Sequence, residues 1–511
     1  MAMSQRHPAA DRALGLVARG GLANLAGAAF TGAAGLATTW LVAHGLGTAA
    51  AGGFFAATAV FVLAGGLAKL GTQTSLVYWP ARLRALGRPD LVWRCLLIGL
   101  GPVAVTGTLI GVALWTRGGL LALLAPLVPA AALSDATLAA TRGYRSMRPT
   151  VAYDRIFRPA LQLVALTALY LTDAAPGAYA LAWAAPYLPT LLLAAHALLT
   201  LTRRDRGAEA GEDIRLGTAF WRFSAPRALA GVAQLGLQRV DVILVAALAG
   251  LPAAALYAVA GRFVVLGQFT NQAISQSVQP RLAERLATGD MAGARLLYQQ
   301  GTAWLVLATW PMYLLVGAYA PVYLALFGPS YRAGATITTI LAATMLVATA
   351  CGMVDMVLAM GGRTSWNLGN VALALAIAVG VDLMLIPRLG PVGAALGLAA
   401  AVLANNLLPL AQVWHALRLH PFGRATRRAG GLAVAYLGVP AVATRIVVGD
   451  SPLELAVIGA IVAAIGATGY LVAIRRLREP LGVPRMSGRA DRYVVSPRPI
   501  RLPSTLEGDP Q

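Results

Sequence analysis

Charged and amide side chains inside apolar stretches of the sequence are the residues most able to bind a ligand. The cations that lie at some depth in these stretches are Arg19, Lys69, Arg239 and Arg262. The polar residues that could share a cavity with them are Gln73, Asp241, Asn271 and Gln276. A charge at the centre of a membrane helix costs roughly 2.5–3.5 kcal/mol on translocon scales, so such side chains face a cavity or each other. These residues predict a cavity with a basic lining, which attracts anions.

Each cation also has a structural interpretation. Arg19 lies one to two turns into its stretch, where both a cavity position and extension to the lipid headgroups are open. Arg239 and Asp241 could pair with each other or with Arg262. Lys69 is the only lysine in a chain with 41 lysine and arginine residues, which favours a functional role for it. The arginines expected to extend to the headgroups are Arg155, Arg158, Arg222 and Arg227.

The amides and the remaining acids allow two interpretations as well. The eighth stretch carries Asn271, Gln272, Gln276 and Gln279, and Gln73 has a comparable place on the second. Amides can hold membrane helices together or bond sugar hydroxyls, and the first role is the more common one. The single acids that could bind a proton or a sodium ion are Asp135, Asp355 and Asp382.

Fourteen apolar stretches position these residues, each long enough at about 20 residues to cross a hydrocarbon core of roughly 30 Å. They are 14–43, 49–79, 91–115, 118–140, 150–172, 175–201, 218–249, 251–279, 298–327, 333–360, 366–387, 391–417, 430–448 and 452–474. The sequence therefore predicts an all-α polytopic membrane protein with about 14 transmembrane helices.

The arginines fall mainly in alternate gaps, after the even-numbered stretches. By the positive-inside rule those gaps are cytoplasmic, and so are both termini. An even number of spans agrees with that placement. The predicted location is the plasma (inner) membrane, with a cytoplasmic N-terminus at 1–13 and a disordered basic cytoplasmic tail at 475–511.

Three weak internal echoes, each displaced by six helices, suggest a repeat. The clearest relates PARLRALGRPD (80–90) to PRLAERLATGD (280–290). An even displacement keeps both copies in one orientation, so the halves are parallel repeats, the plan of an alternating-access transporter. The predicted parts are an N-lobe (14–201), a cytoplasmic linker (202–217), a C-lobe (218–417) and two additional helices (418–474).

Composition and motifs exclude several classes of protein. The chain is 58% hydrophobic and 12% charged, with a mean hydropathy of +0.68, whereas soluble domains are about 25% charged. Its net charge of +21 is spread over short loops and a tail, which indicates topology signals and contact with anionic membrane lipids rather than nucleic-acid binding. Cys95 and Cys351 match no metal-ligand spacing and are expected to be free thiols. No catalytic motif, metal site or cofactor is predicted, so we do not expect an enzyme.

The segment from Phe220 to Glu284 resembles helices seven and eight of polysaccharide (Wzx-type) flippases in the multidrug/oligosaccharidyl-lipid/polysaccharide exporter superfamily. The matching pieces are FWRFSAPR (220–227), RVD (239–241), LYAVAGR (256–262) and SVQPRLAE (277–284). Further pieces at 352–370 and 385–397 extend the resemblance over most of 14–420. The two additional helices are similar to those of lipid II flippases. Unlike in that branch, Arg19 is followed by Gly20 instead of an acid.

The resemblance implies two six-helix lobes in a V around a central cavity. It also implies an activity, the transfer of an undecaprenyl-pyrophosphate-linked oligosaccharide or cell-envelope glycan precursor across the membrane. A glycan polymerase or glycosyltransferases would then be partners. Two alternatives remain open: a cation-coupled multidrug exporter, which would have net acid in its cavity, and a membrane scaffold in an envelope polymer assembly complex.

Overall fold

The computed structural model describes residues 8–144, 146–203, 216–449 and 451–477, but not the side chains of 8–25, 265–266, 364 and 452. Helices account for nearly all of these residues, and no strand occurs among them. Most of the predicted linker and tail (204–215 and 478–511) lies outside the described residues.

The described residues of the first half form nine α-helices. They are α1 (Pro8–Gly45), α2 (Gly47–Ala68), α3 (Thr72–Ala85), α4 (Asp90–Trp115), α5 (Gly119–Leu124), α6 (Val128–Gly143), α7 (Arg158–Leu171), α8 (Pro176–Ala184) and α9 (Tyr187–Thr202). A 3-10 turn at Ala125–Leu127 joins α5 to α6, and a π-helix at Thr150–Phe157 leads into α7.

The described part of the second half forms nine further α-helices and then continues into the two predicted additional stretches. Its helices are α10 (Leu216–Leu248), α11 (Leu251–Ala260), α12 (Val264–Ala287), α13 (Met291–Ala318), α14 (Ala320–Ala325), α15 (Ala335–Ala350), α16 (Val354–Met360), α17 (Thr364–Leu389) and α18 (Pro391–Leu417). A 3-10 turn at Pro329–Gly334 precedes α15. The added helices are α19 (Arg424–Ala433), α20 (Val439–Val448), with a π-helix at Val434–Gly438 between them, and α21 (Pro452–Arg476).

All fourteen predicted stretches are helical, which confirms the polytopic all-α fold. Within the described residues, 12 helical segments are long and apolar enough to cross a membrane. The two stretches that miss this threshold are 150–172, which carries Asp154, Arg155 and Arg158, and 251–279, which is divided into α11 and α12. Both stretches remain helical. Three charged residues exclude the first; in the second, α11 has only 10 residues and α12, which is 24 residues long, has many polar side chains.

Breaks in two of the helices position two of the candidate cations. The second stretch is interrupted at Leu70 and Gly71, which have positive φ angles of 48° and 70°, so that Lys69 caps the carboxyl end of α2. A Cβ at Gly71 would overlap the backbone of α10, so glycine serves both the left-handed turn and the close approach. Arg262 lies in the corresponding break between α11 and α12.

The two halves of the chain pack closely along α2 and α3. These helices contact α10 and α11. A Cβ at Gly52 would overlap the carbonyl of Leu251, and the hydroxyls of Ser75 and Ser224 are 2.5 Å apart. Small residues at membrane helix interfaces allow such backbone approach. The first and second halves therefore meet along most of the length of the second stretch.

The added helices attach to the ninth stretch. Gly430 packs against Trp310 and Gly438 against Leu314, while the Tyr470 hydroxyl donates to the Leu307 carbonyl at 2.9 Å. Both glycines allow α19 and the following π-helix to approach α13 closely. The pair is thus an addition to one side of the second half.

Candidate functional site

Lys69 pairs with an acid of the same half of the chain. Its Nζ donates to Oδ2 of Asp135 on α6 at 2.8 Å, with 19% and 30% of the two side chains exposed. The end of α2 also favours a cation, because its terminal carbonyls carry partial negative charge. The lysine is therefore partly exposed, but its charge is already balanced by Asp135.

A second ion pair lies close to the first. Nη2 of Arg158 donates to Oδ1 of Asp154 at 2.7 Å, and Nη1 donates to the Tyr187 hydroxyl at 3.1 Å. Asp154 and Tyr187 are also near enough to interact electrostatically with Lys69. The prediction that Arg158 extends to the headgroups is wrong, because its side chain is 15% exposed and held by this network.

The other arginines assigned to headgroups divide into two groups. Arg222 and Arg227 are exposed, as that role requires. Arg155 instead packs against Gly27 of α1, and its Nε is buried without a hydrogen-bond partner in the described part of the chain. Arg155 therefore contributes to the contact between α1 and the π-helix of the fifth stretch.

Asp241 pairs with a tyrosine, and both expected ion pairs are wrong. It is 6% exposed; its Oδ2 accepts from the Tyr257 hydroxyl at 2.5 Å and its Oδ1 accepts from the Val242 amide at 2.8 Å. Arg239 is two residues away along α10, and residues at that spacing do not share a helix face. Arg239 is within electrostatic range of Asp241 and of Tyr187 in the first half, but forms no ion pair with the described residues.

Arg262 links the two halves. Its Nη2 donates to the Gly35 carbonyl on α1 at 3.0 Å, and a Cβ at Gly35 would crowd this nitrogen. Arg239 is near enough to act on Arg262 electrostatically. Neither arginine has a carboxylate within 4.0 Å among the described residues. Two half-buried cations thus lie close together at the junction of the halves, one of them with a buried Nε that bonds no described group.

The remaining predicted site residues are on α1, α3 and α12. Gln73 is half-buried on α3, shortly after the break that holds Lys69. Asn271 is half-buried and Gln276 exposed on α12. Arg19 belongs to α1, but its side chain lies outside the described ones.

The amides of α12 do not hold helices together. Asn271 accepts a hydrogen bond from Ser275 of the same helix at 3.3 Å, while Gln272, Gln276 and Gln279 are exposed. Another pair of amides, which was not predicted from the sequence, forms hydrogen bonds between helices. Asn370 of α17 and Gln412 of α18 exchange hydrogen bonds at 2.7 and 2.9 Å.

The single acids have different surroundings. Asp135 pairs with Lys69, and Asp355 is exposed in the first turn of α16. Asp382 on α17 is fully buried, both of its carboxylate oxygens lack a hydrogen-bond partner among the described residues, and Asp241 is within electrostatic range. Within the described residues no three His, Cys, Asp or Glu side chains are grouped to hold a metal ion. Cys95 and Cys351 are free and buried, as expected.

Comparison with solved structures identifies the fold. A lipid II flippase, MurJ, in an inward closed conformation matches with a TM-score of 0.67 and 12% identity over 89% of this chain and 99% of that one. An inward-facing multidrug resistance MATE family transporter of the MOP superfamily matches with a TM-score of 0.61 and 14% identity, over 75% and 94%. A third match is a MOP superfamily transporter from Pyrococcus furiosus, for which reverse polarity of the binding pocket suggests a different function, with a TM-score of 0.55 and 15% identity over 79% and 96%.

These matches show that the chain has the same fold as this lipid II flippase and these transporters, as the resemblance implied. No protein-family model matches the sequence, and no curated protein matches it either. The match to the lipid II flippase covers 89% of the chain, a share too large to leave out α19 to α21 and everything after them. The fold is therefore that of a multi-pass membrane protein, and the match extends into the chain beyond α18.

Proposed function

We propose that this protein is a flippase that moves a lipid-linked glycan precursor across the plasma membrane by alternating access. The substrate is an oligosaccharide on an undecaprenyl pyrophosphate carrier, and both termini of the protein lie in the cytoplasm. The observation that carries the proposal is the pair Arg239 and Arg262, two neighbouring cations without a carboxylate partner among the described residues.

A pyrophosphate group fits this pair for two physical reasons. The guanidinium fork bonds two phosphate oxygens at once, and such charge-assisted bonds are about twice as strong as neutral ones. Low-dielectric walls also strengthen the attraction between the arginines and an anion. The site therefore selects the charged part of the carrier and leaves the glycan to other contacts.

The bond from Arg262 to Gly35 gives the substrate a way to affect the contact between the halves. The present acceptor is a neutral carbonyl, and a phosphate oxygen is a stronger acceptor for a guanidinium. Substrate binding to Arg262 would therefore weaken one of the bonds that join α1 to the break between α11 and α12. That exchange supplies the differential interaction that a ligand needs to shift a conformational equilibrium.

Arg262 is the residue at which to test this proposal. Purified protein is reconstituted into liposomes with a fluorescent undecaprenyl pyrophosphate disaccharide, and its transfer is followed by loss of protection from a membrane-impermeant quencher. We expect Arg262→Lys to retain part of the transfer, because a point charge remains, and Arg262→Glu to abolish it, because a carboxylate repels pyrophosphate. The matched control is Arg117→Glu, at an exposed loop arginine, which should transfer normally.

The second candidate is a cation-coupled multidrug exporter, which the fold match to a multidrug resistance transporter favours. Such a protein would take cationic dyes, and added acid in the cavity would help it. Liposomes in which Arg262→Glu transfers the lipid at the wild-type rate, or moves cationic dyes faster than the wild type, would overturn the flippase proposal in favour of the exporter.

A further inference from the structure

One face of α12 carries an uninterrupted series of neutral polar side chains. We call it the amide stripe; its members are Gln268, Asn271, Gln272, Ser275, Gln276 and Gln279. At 3.6 residues per turn these positions fall within an arc of about 140° around the helix. All of them are exposed or half-buried, although they lie in a predicted membrane-spanning stretch.

The flanks of α12 show how the stripe is placed. On one flank Val278 is buried in the core formed with α13 and α16, and a Cβ at Gly267 would overlap the Tyr313 hydroxyl of α13. On the other flank Phe269 packs against Gly32 of α1. The stripe therefore runs between a helix of its own half and the first helix of the other half.

The hydrogen-bonding capacity of the stripe is unused by the rest of the described protein. Among the described residues, the only hydrogen bond within the stripe runs from Ser275 to Asn271, and Gln272, Gln276 and Gln279 bond no described group. Amides that face hydrocarbon without partners are costly. Their exposure at this depth therefore requires water or a polar ligand alongside.

We infer that the amide stripe, which begins on α12 six residues after Arg262, is a binding track for the saccharide part of the substrate. A carboxamide offers two donors and an acceptor oxygen without charge. Sugar hydroxyls and acetamido groups require donors and acceptors together, whereas a phosphate requires only donors. The stripe thus complements the neutral part of the substrate and the arginines its anionic part. This inference rests on the proposed flippase function.

Distances along α12 are consistent with this division. Gln268 follows Arg262 by six residues and Gln279 by seventeen, so the stripe extends from roughly 9 to 26 Å beyond the arginine at 1.5 Å per residue. That length accommodates more than one sugar ring. With pyrophosphate at Arg262, the glycan would extend toward the end of α12 that is predicted to be cytoplasmic.

The test compares two probes on the same protein in nanodiscs. One is undecaprenyl pyrophosphate and the other is the same lipid carrying a disaccharide, and the dissociation constant of each is measured by native mass spectrometry. We expect the wild type to bind the glycosylated lipid about tenfold more tightly, and Gln272→Ala with Gln276→Ala to remove that preference while leaving affinity for the bare lipid unchanged. Ser277→Ala, on the opposite face of α12 and bonded to its own helix, is the matched control and should keep the preference.

Three outcomes separate this inference from the proposed function. Equal binding of both probes by the wild type overturns the saccharide track and leaves the flippase proposal intact. Equal loss of both probes in the double variant also overturns the track, because the residues would then not distinguish sugar from phosphate. Failure of the wild type to bind either probe overturns the proposed function and the track with it. If the double variant is not recovered from membranes, Gln279→Ala replaces it with the same expectations.

Discussion

Removing Lys69 separates two roles for its charge. It can contact the substrate directly, or it can neutralise Asp135, which would otherwise present a carboxylate to a cavity that binds an anion. The 2.8 Å ion pair favours neutralisation. We therefore expect Lys69→Ala to lose transfer of the lipid-linked disaccharide and Lys69→Ala with Asp135→Ala to recover most of it.

The magnitude follows from the geometry of the pair. Two unit charges about 4 Å apart at an effective dielectric of about 20 interact by roughly 4 kcal/mol. Because 19% and 30% of the two side chains are exposed, solvent screening reduces this to about 2 kcal/mol. Each single variant should lower the free energy of unfolding by about 2 kcal/mol and the double variant by less, since no unpaired charge remains.

Transfer rates in liposomes and unfolding by denaturant titration measure the two effects. The single variant Lys69→Ala should slow transfer at least about tenfold, and the double variant should return to within about threefold of the wild type. Arg285→Ala breaks the exposed pair with Asp290 and serves as the control, with an expected stability change below about 0.5 kcal/mol. A stable double variant that still fails to transfer lipid would refute neutralisation and assign Lys69 to direct substrate contact.

Three further predictions concern the fold. Gly52→Ala should lower the free energy of unfolding by about 1–3 kcal/mol through overpacking, because its Cβ meets backbone, whereas Gly53→Ala, which meets only side chains beyond 3.4 Å, should be near neutral. The pKa of Asp290 is lowered from 3.8 by a backbone hydrogen bond from the first turn of α13 and by the neighbouring arginine. The ionised carboxylate therefore stabilises this turn above pH 3.8, and that stabilisation is lost as the pH falls through the lowered pKa. Amide exchange in the turn should rise in acid for the wild type but not for Asp290→Asn. A cysteine introduced at the exposed position Leu86 should react with a membrane-impermeant thiol reagent only after the cells are permeabilised. A cysteine at the exposed position Leu389 should react in intact cells, and the reverse pattern would contradict the predicted topology.

The helices were predictable because apolar length alone identifies a membrane span, but their interruptions were not. A glycine at position 71 is a weak sequence signal for the positive φ found there. The neighbouring Leu70 also has a positive φ, which its residue type does not suggest. That conformation depends on α10 approaching α3 at Ser224 and Ala228. A tertiary contact of this kind has no local counterpart in the sequence.

The pairs that the predicted polar residues form could be read only in part from the sequence. The i, i+4 spacing of Asp154 and Arg158 indicates a helical ion pair and could have been used. The i, i+2 spacing of Arg239 and Asp241 argues against the pairing that was expected. Lys69 and Asp135 are 66 residues apart, and only the packing of α6 against the second stretch brings them together.

The two halves differ in how several of their charges are balanced. Near the ends of the bundle, each half pairs an arginine with the aspartate at the start of the next helix, Arg88 with Asp90 and Arg285 with Asp290. Inside the bundle, Lys69 and Arg158 of the first half pair with acids. In the second half Asp241 instead bonds a tyrosine, and Arg239 and Arg262 have no carboxylate within 4.0 Å among the described residues.

The proposed flippase function gives the contact between Arg262 and Gly35 a place in transport. A pyrophosphate bound between the halves would contact Arg239 and Arg262, which have no carboxylate within 4.0 Å among the described residues. The substrate anion would then stay with α10 and α12 while α1, joined to them through Arg262 and Gly35, changes its contact. An alternating-access cycle requires one half to hold the ligand while the other moves against it, and the bond between Arg262 and Gly35 lies at the contact that such a movement would change.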